Sequence, residues 1–283
     1  MNEKGYRVLE TVCTTFNSDM VLAVISSRDK NMQNDFYQDI ERLCLQHGIK
    51  FLDRKDDTSQ FTQEYRIAIG WRWIINPEKK LIVIHDSLLP KYRGFSPLVN
   101  ALINGEKTVG VTALFASKEF DCGDIIAQKE MPISYPIKIA NAITLISKLY
   151  EELIIEVIDA LQNNSLKLIK QNEKKATYSI WRDEEDYHID WKNSASDIEK
   201  FVNAVGYPYA NAYAFIDGYK VRIIDVEVYP SLSIELIHVG KILQLDNNHP
   251  IIITGDGLIK IKTLQDENGI NLLPLNKFRV RFT

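Results

Sequence analysis

The sequence predicts an α/β fold: a doubly wound, Rossmann-like domain with a mostly parallel sheet, then a small β-rich, OB-like domain. Three observations carry this expectation. Continuous apolar runs alternate with amphipathic stretches through the front half, the pattern of parallel strands covered on both faces by helices. Around residues 162–190 the composition turns polar. Beyond it the apolar runs are short, and turn residues such as Asp217-Gly218 and Gly255-Asp256-Gly257 punctuate them.

The elements follow in order. Tyr6 to Phe16 reads as a helix, with Val8, Leu9, Val12, Cys13 and Phe16 on one side. Met20 to Ile25 is a buried strand. Asp35 to His47 spaces Phe36, Ile40, Leu43 and Leu45 nearly as a helix does, and His47-Gly48 is its stop. Ile49 to Leu52, Tyr65 to Ile69 and Leu81 to Ile84 are strands, the last ending at His85. Thr108 to Phe115 and Ile125 to Met131 are two more, with Gly123 in the turn between them. Ala140 to Asn163 is a long helix whose Ala142, Leu145, Ile146, Leu149, Leu153, Val157, Ala160 and Leu161 form one core-packing face. Gln162 to Asp190 reads as a linker with some short structure, and Arg182–Asp186 as a solvated connector. Asn193 to Val205 is a helix capped by Ser194 or Ser196. Short strands then recur at Ala212–Ile216, Val221–Val228, Gly240–Leu245, Ile251–Thr254 and Leu258–Thr263, as in a small barrel or sheet. The expected domains are residues 1–190 and 191–283. One feature departs from the pattern: a doubly wound domain opens on a buried strand, and here a helix comes first. Either another segment fills that slot, or the natural protein starts upstream of Met1.

Composition narrows the function. Of 283 residues, 45% are hydrophobic and 25% charged, which is ordinary for a soluble globular chain. Lys+Arg number 34 and Asp+Glu 38, a net charge of −4, so gripping a nucleic-acid backbone is not the expected business. Cys13, Cys44 and Cys122 are scattered, with neither a disulfide framework nor zinc spacing, so no metal and a reducing, cytoplasmic home are expected. No apolar run approaches the roughly 18 residues a membrane span needs. A homodimer is the default for such an enzyme.

Three clusters carry chemistry. His85 ends a buried strand, where open α/β sheets bind ligands, and Leu88-Leu89-Pro90 behind it suits the wall of a flat ligand. Phe120 to Ile125 sets Asp121 and Asp124 around Gly123 in a turn. Gly70 to Ile75 sets Trp71 and Trp73 after a strand end, where they serve either the core or a ligand wall. Arg93 suits either a phosphate or an internal salt bridge. His47, His188, His238 and His249 are scattered and receive no role.

The block His85 to Gly94, then Gly110-Val111-Thr112, then Asp121-Cys122-Gly123-Asp124-Ile125, resembles the formyltransferases that use N10-formyltetrahydrofolate. The resemblance covers roughly Met20 to Asp190, and the tail after Trp191 is similar to the C-terminal domain that some members carry. It implies transfer of a one-carbon acyl unit to an amine, with N10-formyltetrahydrofolate as co-substrate. An attacking amine must lose a proton, which suits histidine, and the oxyanion formed needs aimed donors. His85 and Asp121 match the catalytic pair, Asp121 orienting the imidazole and helping to move protons. The formyl donor is expected against Trp71, Arg72, Trp73, Ile74, Ser87, Leu88, Leu89 and Pro90, with Asp124 alongside in a more structural part. Lys91, Tyr92, Arg93 and Gly94 are expected to meet the acceptor. The family's asparagine two residues before the histidine is Val83 here, which offers no hydrogen bond, and Asp86 stands where a small residue or proline is common.

Three acceptors compete. Residues 191–283 hold ten Lys+Arg and ten Asp+Glu, so 10 − 10 = 0, a weak clamp for tRNA. Glycinamide ribonucleotide would not explain the second domain. A nucleotide-linked amino sugar, such as a dTDP- or GDP-4-amino-4,6-dideoxyhexose, fits best. HDSLLPKYRGFSPL, WRDEEDYHIDW and the ending RVRFT also resemble sugar formyltransferases. Such an enzyme would serve lipopolysaccharide or O-antigen synthesis. The alternatives are a methionyl-tRNA formyltransferase and a non-catalytic binding protein on a degenerate formyltransferase fold.

Overall fold

The structure, a computed structural model, describes residues 3–29, 34–71, 73, 75 and 80–283. It divides into two compact units. The first comprises Met1–Ala101, Lys107–Ile133 and Asn141–Trp181; the second comprises Leu102–Glu106, Ser134–Ala140 and Arg182–Thr283.

In the first unit, α1 (Glu3–Thr15) buries Val8, Leu9 and Val12, one helical stripe, and carries Glu3 in the first turn where the helix dipole favours an acid. No strand precedes β1 (Ala23–Ser26) among the described residues; a helix holds that place in the chain. The strand β1 is shorter than the apolar run Met20–Ile25, because Ser18–Met20 forms a 3₁₀ turn capped by the Asn17 side chain. Next come α2 (Tyr37–Gln46) and β2 (Lys50–Asp53), which pairs in parallel with β1. Leu9, Val24, Ile40, Leu43, Cys44 and Ile49 form their shared core.

The strands β3 (Arg66–Ile69) and β4 (Leu81–His85) are also parallel, with Ile69 opposite Ile84. A short β5 (Arg93–Gly94) and α3 (Pro97–Ile103) lead to β6 (Thr108–Phe115) and β7 (Ile125–Pro132). These two form an antiparallel hairpin, and β6 lies antiparallel to β4, giving the order β3-β4-β6-β7. The sheet is thus parallel at its start and antiparallel beyond β4. Gly123 lies in the hairpin's turn because a Cβ there would stand 1.7 Å from the Phe115 carbonyl oxygen. The long helix α4 (Ile139–Gln162) turns Ala142, Ile146, Leu149, Leu153 and Val157 inward. After it, β8 (Tyr178–Ser179) pairs in parallel with β5.

In the second unit, α5 (Ala195–Ala204) begins at Ser194, whose hydroxyl accepts from the Asp197 N–H and donates to its carboxylate. Five strands follow: β9 (Ala212–Ile216), β10 (Tyr219–Tyr229), β11 (Ile242–Asp246), β12 (His249–Ile253) and β13 (Leu258–Gln265). They form one antiparallel sheet in the order β11-β12-β13-β10-β9. Asp217, at φ 50, and Gly218, at φ 81, make the tight turn between β9 and β10. Among the described residues no helix is long and apolar enough to cross a membrane.

Candidate active site

Parallel pairing sets the carboxyl ends of β3 and β4 side by side, which brings the segment after Ile69 next to His85. His85 is 7% exposed. Its Nε2 lies 2.8 Å from the Tyr92 carbonyl oxygen, and a carbonyl only accepts, so Nε2 carries the hydrogen. Its Nδ1 lies 3.5 Å from Asp121 Oδ2, longer than a made hydrogen bond. Asp121 holds a left-handed backbone, φ 55, and its Oδ2 accepts from the Gly94 N–H at 2.8 Å. Histidine, at the end of β4, and aspartate, in the turn before β7, thus come together across 36 residues of sequence (121 − 85), the pair that the family resemblance implies.

The loop behind His85 is held by Thr112, which is fully buried. Its hydroxyl donates to the Ser87 carbonyl at 2.6 Å and accepts from the Leu89 N–H at 3.2 Å and from Gln128 Nε2 at 2.8 Å. One donor and two lone pairs are thus all used. Gln128 also donates to the Leu89 carbonyl at 3.0 Å, and Ser87 Oγ donates to the Lys91 carbonyl at 2.7 Å. Gly110 lets the loop approach β6, since a Cβ there would stand 2.4 Å from Leu88 Cδ2.

Not every expected residue offers its side chain to a ligand. Leu89 belongs to a core cluster with Leu114 and Ile125, against which Val83 also packs, so Leu88 and Pro90 are the half-buried wall residues. Arg93 corrects the expectation of substrate contact. Its guanidinium is fully buried, bonded at 2.7 Å to each Glu173 oxygen and at 2.8–3.0 Å to Gln171 Oε1. The Glu173 carboxylate pushes its ionisation well above the ordinary range. Of the two readings of Arg93, the internal salt bridge is the one the geometry carries. Tyr92 and Gly94 take part through their backbones, the first at φ 59 and the second at φ 100. Gly94 is required where its Cβ would stand 2.6 Å from the Ser179 carbonyl oxygen. Lys91 is exposed. Asp124 contributes its carbonyl, which accepts from the Phe115 N–H at 3.0 Å. Trp71 and Trp73 are half-buried and meet edge-on, ring centroids 5.0 Å apart, with the Arg54 guanidinium 4.7 Å from the Trp73 ring. Arg72 and Ile74 lie outside the described residues.

Two residues to which the sequence assigned no role, Lys4 and Tyr150, meet beside the site. Asp86 is ion-paired with Lys4 of α1, and Tyr150 of α4 donates to the same carboxylate. Burial pushes the Asp86 carboxyl up, but the Lys4 ammonium and the hydrogen bonds from Lys4 and Tyr150 outweigh it and hold the group below the usual carboxylate range. The signal for Lys4 was its place one turn before Val8 on the apolar stripe of α1. The polar segment after α4 is no free linker. Ile169 exchanges backbone bonds with Ile125, Thr177 Oγ1 accepts from the Tyr92 N–H, and the Ser179 carbonyl accepts from the Phe95 N–H.

The fold is a Rossmann-like α/β arrangement that sets a His–Asp pair at the carboxyl end of a strand. The family profile described as Formyl transferase matches residues 62–158, and that of Formyl transferase, C-terminal domain, matches residues 182–277. The methionyl-tRNA formyltransferase of Thermodesulfovibrio yellowstonii is 34% identical over 257 residues, 85% of this chain and 79% of that one. Among solved structures, the sugar 3N-formyl transferase WlaRD, determined with dTDP and 5-N-formyl-THF, superposes with a TM-score of 0.70 at 23% identity, covering 98% of this chain and 96% of that one. The N-formyltransferase of Helicobacter canadensis, in complex with folinic acid and dTDP-3-aminofucose, gives 0.70 at 20% identity, covering 92% and 96%. The chain belongs to the formyltransferase family, whose members are formyl-transferring enzymes.

Proposed function

We propose that the protein transfers the formyl group of N10-formyltetrahydrofolate to the amine of a nucleotide-linked amino sugar, a step that serves surface-glycan synthesis. The folate supplies the formyl carbon: a new amide C–N bond forms as the bond to N10 breaks, and one proton passes from the amine to the departing nitrogen. Half-buried Trp71 and Trp73 after β3, and half-buried Leu88 and Pro90 after His85, suit a flat ring system. His85 Nδ1 takes the amine's proton, while the Tyr92 carbonyl fixes the ring through Nε2 and Asp121 faces the nitrogen that gains charge. The Gly94 N–H holds the Asp121 carboxylate in place.

The charge of the second unit carries the choice of acceptor. Lys200, Lys220, Arg222, Lys260, Lys262 and Lys277 each stand within 4 Å of a carboxylate in that unit. Basic groups already paired release few counterions from a polyanion, so they favour a small acceptor over tRNA. The likeness to the two sugar-nucleotide enzymes along nearly the whole chain supports the same reading. A second reading, methionyl-tRNA, is favoured by the 34% identity to such an enzyme.

The test is incubation with N10-formyltetrahydrofolate and a panel of dTDP-, GDP- and UDP-linked amino sugars, with initiator methionyl-tRNA in parallel. A mass gain of one formyl group on a sugar nucleotide is expected. Formylation of the tRNA with no sugar product would overturn the assignment.

A further inference from the structure

The segment between α4 and β8 holds a side chain whose bonding pattern singles it out. A primary amide offers two N–H donors and an oxygen with two lone pairs. Gln171 uses all four. Its Nε2 donates to the carbonyl oxygens of Asp121, at 2.7 Å, and Gly123, at 2.8 Å. Its Oε1 accepts from Arg93 Nη2, at 2.8 Å, and Nε, at 3.0 Å. The orientation is unambiguous, because a flipped amide would set a nitrogen against guanidinium hydrogens and an oxygen against two carbonyls. Asparagine would be too short to span the two groups, and glutamate would set oxygen against oxygen at the turn.

Those contacts close a ring through the site. The Arg93 side chain reaches Gln171, and Gln171 holds the backbone of the Asp121–Gly123 turn. The Asp121 carboxylate then returns to the Gly94 N–H, one residue beyond Arg93. Asp121 needs such support. Its φ of 55 lies in the left-handed region, which costs a non-glycine residue free energy unless the surroundings fix it. The two carbonyls that Gln171 binds belong to that strained residue and to the glycine two positions on, so one side chain ties the turn down from Asp121 to Gly123. Bonding both selects the turn conformation that aims the carboxylate at Gly94 and at His85 Nδ1.

We infer that Gln171 is a positioning residue for formyl transfer: it holds the Asp121–Gly123 turn in the left-handed conformation that presents the Asp121 carboxylate to His85. This rests on the catalytic assignment of Asp121 made above. Glu173 differs in kind. It binds the same arginine but is largely exposed, 68%, and touches neither carbonyl of the turn. Arg93 acts at one remove, by fixing the amide's oxygen.

The experiment compares Gln171→Met, which keeps the length and removes every polar contact, with Glu173→Gln, which keeps a neutral acceptor for Arg93. The first readout needs no substrate: hydrogen exchange at the Gly94 amide, referred to the Ile82 amide in β4. The bond from Gly94 to Asp121 Oδ2 reports directly where the carboxylate stands. Gln171→Met should raise Gly94 exchange at least about tenfold relative to Ile82. The second readout is formyl transfer: kcat should fall about tenfold to a hundredfold, with KM for the formyl donor within about twofold. Glu173→Gln keeps an acceptor oxygen for Arg93 and leaves the Gln171 contacts to the turn in place, so it should leave both within about twofold of wild type. Gln171→Met with Gly94 protection intact would overturn the inference. So would Gly94 exchange that rises only in step with Ile82, since that is general loosening. An equal effect of Glu173→Gln would overturn it too, shifting the role to the arginine's burial. If Gly94 exchange rises as expected but kcat is unchanged, Gln171 positions the turn and the catalytic role of Asp121 is what fails. Should Gln171→Met not fold, Gln171→Glu keeps the oxygen facing Arg93 and opposes the turn alone, with the same outcomes.

Discussion

Lys4 and Asp86 form a buried ion pair, joining the first helix of the chain to the residue that follows His85. Tyr150 completes the carboxylate's partners, with its hydroxyl also 3.1 Å from the Ile84 carbonyl. The side chains of Lys4 and Asp86 are 7% and 15% exposed, so neither charge is solvated on its own. Lys4→Met should therefore cost about 3–5 kcal/mol, because it strands a charge in a low-dielectric setting. Lys4→Met with Asp86→Leu removes both charges and should recover most of that loss. Urea unfolding followed by tryptophan fluorescence checks both. A Lys4→Met loss below about 0.5 kcal/mol would mean the pair behaves as a surface one.

Acid should expose the same pair. The Asp86 carboxyl is held below the usual range in the folded state, where Lys4 and Tyr150 outweigh its burial. A group held low adds stability above its unfolded value, about 4, and loses it as pH falls through the folded value. In Lys4→Met the stranded carboxylate gains from protonation instead. The stability gap between wild type and Lys4→Met should then narrow from pH 7 to about pH 3. Thermal melts across that range test this, and a constant gap would contradict it.

The hairpin turn before β7 should tolerate no side chain at Gly123. The Cβ of Gly123→Ala would meet the Phe115 carbonyl at 1.7 Å, and that backbone is fixed in β6. A loss of about 3 kcal/mol or more is expected, at the upper end of overpacking costs. Gly218→Ala is the control: nothing stands within 4 Å of its Cβ, and only its φ of 81 is unfavourable. Its cost should be nearer 1 kcal/mol. Equal losses in denaturant titrations would contradict the steric argument.

Val83→Asn asks whether the family's asparagine can be restored. Val83 shares the His85 face of β4 and packs on Leu89, Leu114 and Ile125. An amide set into that apolar cluster should cost about 1–3 kcal/mol and bring no gain in turnover. A tenfold rise in kcat would instead show a place waiting for an oxyanion donor.

The sequence made the strands legible wherever periodicity was strong. Thr108–Phe115 and Ala212–Ile216 stand at the predicted bounds, and α4 is offset by one residue at each end. The His85–Asp121 pairing was legible through the resemblance that the His85–Gly94 and Asp121–Ile125 blocks carry; the strand end and the glycine turn mark only where each residue sits. What stayed hidden is tertiary. Lys4 is a charged residue on an apolar stripe, and only the fold shows that its partner follows β4. Gln171 lies in a run without periodicity, and its four hydrogen bonds leave no trace in composition. Arg93 was open between two readings because a phosphate and a carboxylate draw the same guanidinium; Glu173 decides between them only once the chain is folded.

In the proposed reaction His85 and Asp121 act as one unit on the transferred proton. Formyl-transfer rates of His85→Asn, Asp121→Asn and the double variant test it most directly, with circular dichroism confirming that each is folded. Each single change should lower kcat by about 10²–10⁴, and the double variant should be no slower than the worse single one. Losses that multiply, or a single variant near the wild-type rate, would contradict the pairing.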